Sequence, residues 1–526
     1  MNSKCTVNNP NGQEVLSAPF RIIWNAATLN GLPKAIQRFC TATVALLCIA
    51  LAGCVSSGGL HPTGSLTDPS SLKSGRSLAN VALSPTAWPA RDWWVAFGDP
   101  QLTRLINEAL ASNPTLADAE ARARRAQAAA DSLDAARDPQ SALNASAVGA
   151  RLSSKDSVYP QYALGSFAWA KSVTADFSWN IDLWGGQRAA WEAALGRSRA
   201  AQIDAHAARI QLSVNVARAY VRLGYAFAQQ DVAESEKERA SKSLTLTRRL
   251  IAGGLGTNQQ AYLADSQVAS AEQQKVQADR AIDAARSSLS VLLGKGPDRG
   301  LQITRPHLLD PGMIALPDQL SVGLLGRRAD LVAARWQVEA ASKDIKATKT
   351  EFLPNISLSA MAGLVAVGDS TNVFQLPART FSIGPALSLP IFDGGRLRAK
   401  LAATDSVYDQ AVAHYNTLLV GAINDVSDQV SALTSVKNQL VLEKRAQDDA
   451  RKSWEQAITA YRGGVSGPLA PLISRQQLLL ADQRTAALQS QQADISIGLI
   501  EALGGGYGES DSKAGDPPDS TPPLTQ

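Results

Sequence analysis

Residues that could carry catalytic or metal chemistry are scattered along this sequence of 526 residues. No Gly-x-Ser-x-Gly motif places a serine nucleophile in a strand-to-helix turn. Two double glycines could suggest a phosphate-binding loop, but neither Gly185-Gly186 nor Gly394-Gly395 is followed by Gly-Lys-Ser/Thr. The four histidines show no metal-ligand spacing: they are His61, His206, His307 and His414. We therefore expect no enzymatic activity, no metal site and no bound cofactor.

One cysteine lies in a pattern that has a chemical meaning. Residues 41–52 form an apolar run after a basic flank, which is typical of a signal peptide and shorter than the roughly 20 residues of a transmembrane helix. The run ends in Leu51-Ala52-Gly53-Cys54, which resembles the bacterial lipoprotein box. The resemblance implies that residues 1–53 are removed and that Cys54 carries an N-acyl chain, such as palmitate, and an S-diacylglycerol.

Two further observations concern this predicted signal peptide. Val55 rather than an aspartate follows the cysteine, which in lipoproteins points to the outer membrane. The region ahead of the apolar run is long for a signal peptide, which suggests a translation start further along the chain. An ordinary signal peptide with a chance cysteine is the alternative.

Composition and the two chain ends narrow the class of protein. The net charge is +4 and no basic run of five residues occurs, so we do not expect a nucleic-acid partner. All four cysteines lie before residue 55, which excludes a disulfide framework in the rest of the chain. Residues 54–84 are rich in Ser, Gly and Pro and predict a lipidated tether, and the proline-rich residues 508–526 predict a disordered tail.

Between these ends one unit occurs twice, in residues 85–300 and 301–507, with an offset of about 210 residues. Each half opens with an alanine-rich helical pattern, at residues 116–137 and 329–351, and a proline follows each pattern. Because proline disfavours helix at the preceding residue, both helices should end there.

Alternating apolar and polar residues then predict strands in each half. Val173–Leu183 and Phe381–Ile391 have about 11 residues each, enough for a tilted strand to cross a bilayer. Shorter partner strands precede them around residues 143–147 and 356–360, which gives four strands per chain. Four strands cannot close a barrel, so a membrane-spanning sheet requires several chains to share one barrel; a small soluble sheet is the alternative. The expected lipid-facing residues are Phe177, Trp179, Ile181 and Phe381.

Long proline-free segments follow the strands. Gln187–Ala252 and Arg396–Arg462 would each be about 100 Å long as continuous helices, which implies a coiled-coil-like or tubular assembly. They end at the matching turns Gly253-Gly254 and Gly463-Gly464, because glycine is the usual residue just past a helix end. Return helices are predicted over residues 259–293 and 469–503.

Several longer strings carry a resemblance to one family. The chain resembles the TolC-like outer-membrane efflux channels, and within them the NodT-type lipoproteins of tripartite systems with an RND-type pump. The strings are Trp93-Trp94, Phe97-Gly98-Asp99-Pro100-Gln101-Leu102, Gly326-Arg327-Arg328-Ala329-Asp330-Leu331, Phe352-Leu353-Pro354-Asn355, Gly384 to Arg396, and Ala502-Leu503-Gly504-Gly505-Gly506.

The resemblance implies a mixed α/β membrane protein that forms a homotrimer. Twelve shared strands would form an outer-membrane β-barrel, and twelve long helices would form a periplasmic α-barrel. The tips at Gly253, Gly254, Gly463 and Gly464 would contact a periplasmic adaptor protein, next to a proton-driven pump of the inner membrane. The implied function is passive conduction of small toxic solutes or drugs to the exterior. A type I protein-secretion channel and a structural periplasmic coiled-coil lipoprotein are the alternatives.

The residues that would close the periplasmic end of the channel, here called the gate, depart from the family pattern. Many relatives have aspartates just after the tip turns, where this chain has Gln260, Ala470 and Ile473. Tyr461 matches a tyrosine beside the gate in the family, with packing against a neighbouring helix as its alternative role. The gate candidates are therefore Tyr461, Gln260 and Ile473. The stretch from Ala340 to Leu358 resembles channels that are paired with pumps for fusaric acid and other aromatic acids.

Overall fold

A computed structural model describes residues 58–72, 88–151, 153, 167–307, 323–368 and 372–508. The described residues other than 391–393 belong to one compact unit. The predicted lipidation site Cys54 and the predicted tail after residue 508 lie outside the described residues.

Within the described residues, two α-helices precede the first strand. Helix α1 spans Pro100–Ser112 and helix α2 spans Pro114–Ala135, and each begins with proline at a position whose N–H has no helical partner. The Asp99 carboxylate caps α1 by accepting hydrogen bonds from the N–H groups of Gln101 and Leu102. Helix α2 ends ahead of Pro139, as the sequence predicts.

Each long helix is followed by a return helix. Helix α3 spans Gly186–Ala252 and α4 spans Asn258–Leu292. In the second half, α5 spans Ala329–Thr350, α6 spans Arg396–Arg462 and α7 spans Ala470–Ala502. A short helix, Asp298–Leu301, follows α4. The predicted ends of the long helices agree with these bounds within one residue. No helix in the described ranges is both long and apolar enough to cross a membrane.

The described strands form one antiparallel sheet in the order β1-β2-β3-β4. They span Gln140–Arg151, Phe167–Ile181, Asn355–Val367 and Arg379–Ser388. Strands β1 and β4 are therefore the edges of this sheet. The number of strands agrees with the sequence prediction.

The lengths or ends of all four strands correct the prediction. The partner strands β1 and β3 have 12 and 13 residues and are longer than β4, which has 10. Strand β4 ends at Ser388 rather than Ile391. Ser388 lies opposite Asn355, and beyond this pair Pro354 and Pro390 have no N–H to extend the ladder. Strand β2 begins at Phe167, six residues before the predicted start at Val173.

The helices of the described residues bury three apolar clusters, of which two are large. In the first, Tyr220 and Leu223 of α3 pack with Leu102 and Ile106 of α1. The Tyr220 hydroxyl donates a 2.7 Å hydrogen bond to the Asp99 carboxylate, and burial together with this partner raises the pKa of Tyr220. In the second cluster, α6 packs with α5 and α7 through residues that include Leu331, Leu419, Val426 and Leu499.

Candidate functional site

The sheet has one apolar face, and it contains all four residues expected to contact lipid. In the register, Phe177 lies opposite Ala360, Trp179 opposite Leu358, and Ile181 opposite Ile356. Phe381 lies opposite Ala362, two residues along β3 from Ala360 and therefore on the same face. The alternation of apolar and polar residues in both halves of the sequence thus places the apolar residues on the same side of a single sheet.

The opposite face is polar. Asn144 donates a 2.8 Å hydrogen bond to the Asp176 carboxylate of the neighbouring strand, and the hydroxyls of Ser146 and Ser172 are 2.8 Å apart. The sheet therefore separates an apolar side from a side that can face water.

The apolar face is uncovered. The side chains of Phe381, Ile383 and Leu387 are 81%, 77% and 70% exposed in the isolated chain. An apolar patch of this kind marks a surface that contacts a membrane or another protein. Strands β1 and β4 also leave one backbone edge each unpaired within the described sheet, and such edges pair with another chain when they are buried.

The two tip turns have the same backbone geometry. Gly254 and Gly464 have φ values of 75° and 72°, a left-handed conformation that glycine adopts without a Cβ clash. The N–H of Leu255 donates to the carbonyl of Leu250 at 2.8 Å, and Val465 bonds Ala460 in the same way at 2.9 Å. Both turns are thus Schellman motifs, in which the second glycine of each pair takes the strained position. The first glycines, Gly253 and Gly463, only end the helices.

The tips also present apolar side chains that sequence analysis missed. Leu255 and Val465, which directly follow the glycines, are 77% and 85% exposed. A Schellman motif usually covers the residue at this position with a helix side chain, so its exposure is a signal that only the structure provides.

The gate candidates lie near the tips in different local roles. Gln260 Oε1 accepts a 3.1 Å hydrogen bond from the Thr257 N–H, so this side chain caps its own helix. The Thr-x-x-Gln spacing of a capping box is a sequence signal for this role. Tyr461 and Ile473 are exposed in the single chain. Asp265, one turn beyond Gln260, lies 3.4 Å from the Arg248 guanidinium of the preceding helix. The assignment of all three gate residues stays a prediction.

The described part of the predicted tether, residues 58–72, is here called the strap. The Asp409 carboxylate of α6 accepts hydrogen bonds from the Thr63 N–H at 2.9 Å and the Gly64 N–H at 2.7 Å. Asn416, two turns further along α6, hydrogen-bonds the strap backbone through both its amide oxygen and its amide nitrogen. A Cβ at Gly64 would lie only 3.2 Å from the Asp409 backbone, which explains a glycine there.

Replacing Asp409 with alanine is expected to release the strap. The hydrogen bond from the Gly64 N–H, followed by those from Thr63, holds the pKa of Asp409 below its ordinary value of 3.8. The carboxylate therefore stabilises the docked strap above that value, and the effect is lost as the pH falls through the lowered pKa. Amide hydrogen exchange at Thr63 and Gly64 should become roughly tenfold faster in Asp409→Ala. The neighbouring Gln410→Ala serves as the control, and unchanged exchange in both variants would contradict the contact.

Comparison with known proteins identifies the family to which the chain belongs. The family model described as outer membrane efflux protein matches residues 105–295 and 320–505. The chain belongs to this family. The two matched segments include the long helices of both halves and the sheet.

Three similar proteins illustrate the relationship. The fusaric acid resistance protein FusA of Burkholderia cepacia is 38% identical over 373 residues, which are 70% of this chain and 69% of FusA. The multidrug resistance outer membrane protein MdtP of Escherichia coli strain K12 is 30% identical over 435 residues, 81% of this chain and 89% of MdtP. The crystal structure of the outer membrane protein VceC of Vibrio cholerae is 32% identical with a TM-score of 0.71, over 80% of this chain and 100% of VceC.

Membership confirms the broad functional prediction. The chain is the outer-membrane channel component of an efflux pump, and its location is the outer membrane. Members of this family are passive channels, so the expectation of no enzymatic activity is also confirmed.

Proposed function

We propose that three copies of this chain share one outer-membrane barrel and that their long helices form a periplasmic tunnel. Solutes pass from the periplasm to the exterior by diffusion through this tube. The observation that carries the proposal is the open four-stranded sheet, which has an exposed apolar face and an unpaired edge on each side. In a bilayer such edges must be paired, and neighbouring copies of the same sheet can do this.

The tip turns are the proposed contact with a periplasmic adaptor, which links the channel to a proton-driven pump of the inner membrane. Two matching turns per chain present Gly253-Gly254 and Gly463-Gly464, each followed by an exposed apolar side chain, Leu255 or Val465. Exposed apolar residues on rigid turns suit docking to a partner. A small shift of the inner helices near Tyr461, Gln260 and Ile473 would open the periplasmic end.

The proposed cargo is small toxic organic compounds. The similarity to a fusaric acid resistance protein and to a multidrug resistance protein supports this class, with aromatic acids as the first to test. The experiment is a deletion strain that carries the gene on a plasmid and is challenged with a compound panel. Restored resistance to small compounds supports efflux. Export of a protein toxin without such resistance would support the type I secretion alternative.

The Cys54→Ser variant is expected to keep partial function. The proposed N-acyl and diacylglycerol chains on Cys54 anchor the chain to the inner leaflet, but a barrel that spans the bilayer stays inserted without them, because lipid anchors hold a protein less firmly than a spanning segment does. Outer-membrane trimer and efflux should both be measured in the deletion strain. Complete loss of trimer in this variant would show that the lipid is required for assembly.

A further inference from the structure

The apolar face of the sheet is charged at one end only. Lys171 lies opposite Ala147 on this face, Arg379 lies opposite Leu364, and Arg151 lies opposite Phe167. No carboxylate occurs on this face of the described strands, and the strand carboxylate Asp176 is on the polar face. These three cations, here called the basic rim, are the charged residues of this face within the described strands.

The position of the basic rim corresponds to a membrane border. Lys171 is eight residues from Trp179 along β2, and Arg379 is eight residues from Leu387 along β4. Eight residues span about 27 Å of strand, or roughly 20 Å across a membrane after tilting, which is close to the height of the apolar band of an outer-membrane barrel. Between the basic rim and the opposite end of the sheet, at Trp179 and Leu387, the apolar face of the described strands is uncharged. The rim and Trp179 thus lie at opposite borders of the band.

Aromatic residues mark the same border as the rim. Phe167 and Trp169 lie next to Lys171 on the apolar face, with ring centroids 6.0 Å apart. Aromatic girdles occur at the level of the lipid head groups. The rim lies at the hairpin end of the sheet, away from the ends of β2 and β4 that lead to α3 and α6. In an outer-membrane channel with periplasmic helices, this end faces the exterior.

We propose that Arg151, Lys171 and Arg379 bind phosphate groups of anionic lipid in the outer leaflet. The proposal rests on the proposed function, because only a membrane-inserted sheet turns this face to lipid. Long basic side chains extend along apolar surface and place their charge among head groups. A guanidinium can bind a phosphate through two parallel hydrogen bonds. Arg151 and Arg379 are on the two edge strands, so a shared barrel would bring basic residues of adjacent copies to one continuous rim.

The test uses the detergent-extracted full chain and two probes, diphosphorylated lipid A and the same lipid without its phosphates. Native mass spectrometry counts the bound lipid. We expect the unmodified chain to prefer the phosphorylated form by at least about tenfold, because each basic residue near anionic lipid contributes to binding. The triple variant R151Q/K171Q/R379Q should lose this preference. A control variant, R122Q/K242Q/R451Q, removes the same charge from exposed helix surfaces and should keep it.

The outcomes separate this proposal from the proposed function. Equal binding of the two lipids by the unmodified trimer would overturn the basic rim as a lipid site and leave the shared barrel intact, and this comparison requires no variant. Displacement of the phosphorylated lipid by inorganic phosphate alone would also overturn it, because the ligand would then be a soluble anion. A particle that contains one chain would overturn the proposed function and this proposal together.

Discussion

Lysine in place of Ile383 is expected to prevent assembly in the outer membrane, whereas lysine in place of the adjacent Ser382 is expected to be tolerated. Ile383 lies opposite Ala360 near the middle of the apolar face, four residues from both Arg379 and Leu387, and is 77% exposed in the single chain. Ser382 lies on the polar face of the same strand. A lysine that faces lipid at the bilayer midplane costs about 2–4 kcal/mol, and a shared barrel would carry that cost in every copy.

The measurement is the yield of heat-modifiable oligomer in outer-membrane fractions of strains that express each variant at equal levels. Ile383→Lys should give almost none, and Ser382→Lys should give a yield near that of the unmodified chain. Trp179→Lys should have an intermediate effect, because Trp179 is at the end of the apolar band, where the cost falls to about 0–1 kcal/mol. Equal yields of the Ile383 and Ser382 variants would show that the apolar face does not contact lipid.

Alanine in place of Gly504 is expected to destabilise the folded chain severely. Gly504 follows α7 with a φ of 97°, a conformation that is strained for any residue with a Cβ. An added Cβ would also collide with the carbonyl oxygen of Arg327, which is backbone and cannot move aside as a flexible side chain could. Left-handed strain of about 1–2 kcal/mol and steric overlap of about 1–3 kcal/mol together predict a loss of roughly 2–5 kcal/mol in the free energy of unfolding.

Gly254 is the matched control for this prediction. It has a similarly positive φ of 75°, but no atom lies within 4 Å of its added Cβ. Gly254→Ala should therefore show only the conformational cost of about 1–2 kcal/mol. Thermal unfolding of the extracted protein, followed by circular dichroism, measures both variants. If the Gly504 and Gly254 variants melt at the same temperature, the close approach of Gly504 to Arg327 is not present in the folded protein.

Helix ends were predictable from the sequence because strong local signals mark them. The prolines after α2 and α5 and the glycine pairs at the tips determine helix ends through backbone chemistry, without reference to distant contacts. The two 67-residue helices were predicted within one residue for the same reason. Which glycine of each pair takes the positive φ is a question of turn geometry, and the structure answers it with Gly254 and Gly464.

Strand ends were less predictable, because their signals are weaker or depend on a partner. Strand β1 contains many small residues, so the alternation of apolar and polar side chains is faint along its 12 residues. Lys171 interrupts the apolar set of β2, and the predicted strand therefore omitted Phe167 and Trp169 beyond it. Pro390 marks the end of β4 locally, but the exact last residue, Ser388, also depends on the start of β3 at Asn355 opposite it, which β4 alone does not show.

For the candidate site, the two faces of the sheet and the positions of the tip turns were predictable from the sequence. The contacts between distant segments were not. Alternation correctly grouped Phe177, Trp179, Ile181 and Phe381, because register preserves alternation across strands. The attachment of the strap to Asp409 pairs residues about 345 positions apart, and nothing local in either segment signals it.

The mass of the particle extracted from outer membranes in mild detergent tests the shared barrel most directly. Native mass spectrometry should give the mass of three mature chains with bound lipid, and the particle should require detergent to stay in solution. A single chain that remains soluble without detergent would contradict the account.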